Sequence, residues 1–107
     1  MTDPRALLLL MNDVPAEHEE EFNRWYAEEH LPERESLPGF LSSRRFISLE
    51  GTPKYLALYE LESARALDTP EYRALSEPTP WTLRIRGLRS SHLRNIYEEI
   101  NPSGDRR

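Results

Sequence analysis

The chain has 107 residues, enough for one compact domain and too few for two, and it is 37% apolar and 31% charged, as globular proteins are. It contains no cysteine, so disulfides, thiolate nucleophiles, iron–sulfur clusters and cysteine-ligated zinc are excluded. Formal net charge is −5, and a dense run of acids between Asp13 and Glu35 is answered there only by Arg24 and Arg34, which disfavours a nucleic-acid surface on that face.

No apolar run approaches the roughly 20 residues that span a bilayer. Ala6 to Met11 is a block of strand length. The balanced Asp3 and Arg5 before it, with no small-residue cleavage site after it, fit the first strand of a cytoplasmic protein better than a signal peptide.

Arg5 to Asn12 is apolar at consecutive positions, the pattern of a central strand buried on both faces. Asp13-Val-Pro-Ala then offers a helix start. Asp13 can accept from free backbone N–H groups, Pro15 suits an early helical position, and Glu17 with Glu19 to Glu21 suits the positive end of the dipole. The helix is expected from about Pro15 to about His30, and Pro32 ends it at Leu31 or one turn later. Along it Phe22, Trp25, Tyr26, Glu29 and His30 recur at i, i+3, i+4, i+7 and i+8 and so share one face. Pro38-Gly39 marks a turn, Phe40 to Leu49 a second strand, Glu50 to Lys54 a hairpin loop, and Tyr55 to Leu61 a third strand. Thr69-Pro70-Glu71 carries a cap, a proline and a first-turn acid, and opens a second helix through Tyr72, Ala74 and Leu75. Pro78 and Pro80 interrupt it, Trp81 to Arg89 adds a further helical turn or two, and Ser91 to Ile100 is a fourth strand. Residues 1–100 read as one domain and residues 101–107 as a disordered tail.

The order is β-α-β-β-α-β, the ferredoxin-like α+β arrangement, in which two helices lie on one face of a four-stranded antiparallel sheet. The first and third strands carry apolar residues at both alternate positions, yet no helix remains to cover the second sheet face. A homodimer packed through those sheet faces would bury it.

This order of elements, with FNRWYAEEHLPE on the first helix, LPGFLSSRRF leading into the second strand and PKYLALYEL as the third, resembles the dimeric α+β barrel superfamily, and within it the EthD-like proteins. The resemblance spans roughly Ala6 to Ile100. Its most specific element is an aromatic pair, an acidic turn and His-x-Pro on the first helix, here Trp25, Tyr26, Glu28, Glu29, His30 and Pro32. The superfamily includes cofactor-free monooxygenases of polyketide-like aromatics, polyketide cyclases, muconolactone isomerases and haem-degrading enzymes. The resemblance implies a ligand cavity between the sheet and the helices of each subunit. It also implies a cofactor-independent enzyme acting on a small hydrophobic compound, aromatic or carbonyl-containing. The alternative, which the same scaffold allows, is a non-catalytic dimer that binds a hydrophobic metabolite or a partner protein.

His30 lies on the apolar stripe near the expected helix end. The dipole there favours imidazolium and burial favours imidazole, so its proton is expected to be poised near neutrality. Either it moves a proton for a substrate, with Glu29 or a tyrosine orienting its ring, or it bonds a backbone carbonyl and packs. Tyr26, one turn away, needs a partner for its hydroxyl if buried and is the second catalytic candidate. Trp25 is accounted for by helical burial and also stands where it can shape a pocket wall. Asn12 either caps the turn after the first strand or hydrogen-bonds a carbonyl ligand. Arg44 and Arg45 face opposite ways, and a buried Arg45 needs a carboxylate from the protein or the ligand. Tyr59 and Tyr97 point into the cavity or into the dimer interface, a choice that alternation leaves open.

Arg84, Arg86, Arg89 and Arg94 form one basic cluster, either salt-bridged to the acidic helix or binding an anionic group such as a carboxylate. No metal site is expected, since His18 and His30 stand about 18 Å apart by helical rise. Asn12, Trp81 and His92 have a distant likeness to the asparagine, tryptophan and histidine of haem-degrading barrel enzymes, but His92 is expected to start a strand and not to lie on a helix. No phosphate loop, nucleophile elbow or nucleotide fingerprint occurs.

Overall fold

The computed structural model describes residues 3–106. Strands β1 (Ala6–Asp13), β2 (Phe40–Ile47), β3 (Tyr55–Leu61) and β4 (Ser91–Glu98) form one antiparallel sheet in the order β2-β3-β1-β4. β1 is central, as its apolar run predicts, but it is buried on one face only. Ala6, Leu8, Leu10 and Asn12 point to the helices, while Leu7, Leu9 and Met11 stay half-buried on the other face. The register sets Leu58 beside Leu9 and both Leu56 and Leu93 beside Met11, with Phe46 next to Leu56. An apolar band therefore crosses the open face, flanked by the Arg44–Glu60 ion pair and Asn95.

The first helical run has three parts: α1 (Glu19–Trp25), one π-turn (Tyr26–His30) and α2 (Leu31–Glu35). Pro32 accounts for the π-turn. It has no N–H to give the Glu28 carbonyl, and its ring would crowd that oxygen in a regular helix. The wider turn, closed by the Leu31 N–H on the Tyr26 carbonyl, removes the conflict. The run then ends one turn beyond Pro32. Asp13 does not cap it, because β1 extends through Asp13; its carboxylate accepts from the Lys54 N–H at 2.7 Å and from the Ser91 hydroxyl at 3.0 Å, tying β3 and β4 to the end of β1.

The second helical region holds α3 (Pro70–Ala74) and α4 (Pro80–Leu88), each opened by a threonine whose hydroxyl accepts the N–H three residues on at 3.1 Å. Proline begins both, where no N–H is missed. Gly39, at φ +81°, turns the chain into β2, and a Cβ there would sit 2.8 Å from the Ala66 Cβ. Only glycine meets both conditions.

Residues 101–106, expected as a tail without structure, close into a turn in which Asn101 Oδ1 accepts the N–H groups of Ser103 and Asp105, and Arg106 bridges back to Ile100. Arg107 lies outside the described residues. The largest fully buried side chains are Leu8, Phe22, Tyr59, Leu61 and Ile85. Among the described residues no helix is long and apolar enough to cross a membrane.

Candidate functional site

A cavity of about 500 Å³ lies between the sheet and the helices. Leu8 and Leu10 of β1, Trp25 and Tyr26 form one apolar wall, and Leu67 and Leu75 face them. The polar wall is made of cations: Arg34 of α2, Arg73 of α3, Arg86 of α4, Arg89 just beyond it, and Arg94 of β4, with His92 beside them.

The π-turn decides which side chains the first helical run presents. On a regular helix of about 3.6 residues per turn, Trp25 and His30 would point about 140° apart. Across the wider turn they share a side, and their rings stack with centroids 4.3 Å apart and planes 21° apart. Tyr26 meets His30 edge-on at 5.1 Å. Glu29 is turned elsewhere. Its Oε2 accepts from Trp25 Nε1 at 3.0 Å, the Thr79 hydroxyl at 2.7 Å and the Thr82 hydroxyl at 3.0 Å. Expected as a group that could orient the His30 ring, Glu29 instead clamps the start of α4 to the π-turn.

His30 is buried, and Arg34 Nε–H donates to its Nε2 over 3.4 Å, which places the ring proton on Nδ1. Burial first, and then the field of Arg34, Arg86, Arg89 and Arg45, press its pKa down to about 3. The expected poise near neutrality does not arise. The chain continues into α2, so no helix end faces the ring, and the charges around it are cations.

Asn12 and His92 are cross-strand partners in the β1–β4 ladder, so their side chains emerge on the same face. Asn12 Oδ1 lies 2.7 Å from His92 Nδ1 and 3.4 Å from Arg89 Nη1, and Arg89 Nη1 lies 2.9 Å from the same ring nitrogen. Asn12 thus caps no turn. The shorter contact, to a carbonyl oxygen, assigns the proton to Nδ1 and leaves Nε2 as a lone-pair acceptor. The Tyr26 hydroxyl is within hydrogen-bonding reach of Asn12, and burial raises its pKa.

No family model matches the sequence, and no curated protein matches it. Solved structures do. The heme-degrader MhuD from Mycobacterium tuberculosis is 18% identical, with a TM-score of 0.65 over 90% of this chain and 96% of its own. An EthD family protein from Bacillus halodurans is 17% identical, with a TM-score of 0.66 over 90% and 99%. A candidate antibiotic biosynthesis monooxygenase from Bordetella bronchiseptica is 12% identical, with a TM-score of 0.71 over 92% and 100%. These structures share the fold of this chain, a four-stranded antiparallel sheet with helices on one face. At these identities the likeness carries the fold and leaves chemistry to the residues.

The remaining candidates separate by sheet face. Tyr59 points to the helices, fully buried, with a hydroxyl that has no partner. Tyr97 pairs with Leu7 and stands on the open face, away from the cavity, because alternation along β4 carries it there. Arg45 points inward, but no carboxylate meets it. Its guanidinium lies over the rings of Tyr26 at 4.1 Å, Tyr55 at 5.4 Å and Phe22 at 5.5 Å, while Nε and Nη2 are buried without acceptors. Arg44 faces the other way and pairs with Glu60.

The basic cluster divides. Arg84 forms a two-pronged pair with Glu21 at 2.7 and 2.9 Å, whereas Arg86, Arg89 and Arg94 turn to the cavity. Trp81 donates to Glu21 at 3.2 Å beneath Arg24 and does not line the cavity, so of the haem-degrader-like trio only Asn12 and His92 meet. Arg34, Arg73 and Tyr72 escape notice in the sequence. Arg34 left one signal, its place four residues beyond His30 on the same stripe.

Proposed function

We propose that the chain is a small cofactor-independent enzyme of the EthD, cyclase and monooxygenase kind, acting on a small hydrophobic compound with a carbonyl or an aromatic ring. The observation that carries this reading is the placement of Tyr26 and His30 together in the wall of a cavity otherwise floored by Leu8, Leu10 and Trp25. Tyr26, kept protonated by burial, is positioned to donate to a substrate oxygen as charge develops on it. His30 takes part as neutral imidazole. With a pKa of about 3 it is a weak base in the empty cavity, and a bound anion among the arginines would offset the field that weakens it. Asn12 orients the Tyr26 hydroxyl and His92, Arg45 covers the Tyr26 ring, and Trp25 and Tyr59 set the shape of the wall.

The working unit in this reading is two copies packed through the open sheet face. The chain exposes 6992 Å², against about 6,200 Å² for a monomer of its mass. The excess is about the 800 Å² that one partner contributes to a standard interface.

A second reading, a haem-binding barrel, rests on His92. With Nδ1–H donating to Asn12, its Nε2 would be free to hold iron, and the cavity arginines suit propionates. Haem there would supply iron-centred oxygen chemistry.

Hydrogen exchange at carbon separates the readings. In D2O, 2-tetralone serves as a probe whose α-protons are followed by NMR in the presence of wild-type protein, His30→Gln and Tyr26→Phe. Catalysis requires faster exchange with wild type and a loss of roughly a hundredfold in both variants with binding retained. Binding without exchange favours the non-catalytic dimer. A Soret band that grows on hemin titration and disappears in His92→Gln favours the haem barrel.

A further inference from the structure

We propose that the compound taken by this cavity is an apolar carboxylate, its hydrocarbon body against Leu8, Leu10 and Trp25 and its carboxylate received by the guanidiniums of Arg86, Arg89 and Arg94. The inference rests on the small-molecule reading above and adds the class of ligand to it.

Ten arginines of this chain fall into two sets, apart from Arg45, which is held among aromatic rings. Arg24, Arg44, Arg65, Arg84 and Arg106 each hold a carboxylate in an ion pair. Arg34, Arg73, Arg86, Arg89 and Arg94, which line the cavity, hold none among the described residues. The chain carries 19 acidic residues against 14 basic ones, yet no acid lines the cavity. An acidic protein has thus kept a pocket of one sign, opposite to its own net charge. Like charges gathered around a partly dry space repel one another and lose hydration, and an anion placed among them reverses both costs.

Arg89 shows the incompleteness most directly. Its Nε is buried without an acceptor, and burial, with Arg86 beside it, holds its pKa below the ordinary value. The same cations lower the pKa of His92, after burial. The planar fork of arginine matches a carboxylate through two parallel hydrogen bonds. The wall has no lysine, and α3 meets it at Tyr72 and Arg73, with Leu75 and Ser76 beyond, and not through its N-terminus. Tyr72 fixes two of the forks at the rim, with Arg34 over its ring at 5.2 Å and Arg94 donating to its hydroxyl at 3.0 Å.

Calorimetry with two probes of one shape, 2-naphthoate and 2-naphthamide, tests this. Wild type should bind the carboxylate roughly tenfold or more tightly than the amide, with a preference that shrinks as salt is raised. Arg86→Gln and Arg94→Gln, both exposed and outside any ion pair, should each erase most of that preference and keep the wild-type unfolding midpoint, while Arg65→Gln, paired with Asp3 on the surface, should leave it intact. Equal affinity for the two probes, or a preference that survives the Arg86 and Arg94 changes, overturns the carboxylate assignment and leaves the small-molecule reading standing. Inorganic phosphate displacing naphthoate with equal affinity overturns it in favour of a general anion site. Failure of both probes to bind removes the small-molecule reading and this inference with it.

Discussion

Burying His30 among cations, with no carboxylate beside it, makes folding depend on pH. Its ordinary pKa of 6.5 falls to about 3 in the fold, chiefly through burial and secondarily through Arg34 and Arg86. Between those two values the unfolded chain binds a proton that the folded chain refuses, so stability present above pH 6.5 is lost as pH falls towards 3. At about 1.4 kcal/mol for each step of one in pH, this one group removes up to about 2 kcal/mol between pH 6.5 and 5. Glu19 and Glu21, held below their usual range by Lys54 and Arg84, do not titrate in that window. Urea unfolding at pH 7, 6 and 5 should therefore show a midpoint that falls more steeply for wild type than for His30→Gln. Parallel profiles would mean that the ring is not held neutral.

Among the elements, the π-turn and the start of α4 are joined through a single carboxylate. Glu29 receives Trp25, Thr79 and Thr82, and Thr79 in turn caps α4. Glu29→Ala leaves those donors without their acceptor and should cost about 2–4 kcal/mol in urea unfolding, with faster amide exchange across the first turn of α4. A loss under about 1 kcal/mol would show the clamp to be incidental. The four strands were legible in the sequence because strand-length apolar runs and turn residues mark them locally, and the threonine and proline openings marked α3 in the same way. The π-turn was not, since spacings of three and four residues look alike on either side of the extra residue, and only Pro32 hints at the conflict. Asn12 and His92 lie 80 residues apart. Their partnership is a matter of strand register, which no local pattern records. The arginines of the cavity come from α2, α3, α4 and β4, so a charge cluster read along the chain mixes Arg84, which faces Glu21, with neighbours that face the cavity.

For the whole molecule, the proposed two-copy unit rests on the open sheet face. Light scattering at tens of micromolar should give twice the 12.6 kDa of one chain. Leu58→Glu, beside Leu9 in the middle of that face, should give a monomer with unchanged circular dichroism. A wild type that is already monomeric would end the two-copy reading. The two outer strands of the sheet have a different consequence. β2 turns Arg45 towards the helices, and β4 turns His92 and Arg94 the same way. A rim strand offers a row of unsatisfied backbone groups on which a foreign strand can assemble, and an inward charge opposes this, because the added or slipped strand would have to seal a cation in a dry layer. Arg45, caged by the rings of Tyr26, Tyr55 and Phe22 and lacking a counter-ion, is such an inward charge, and a strand added beside β2 would have to cover it.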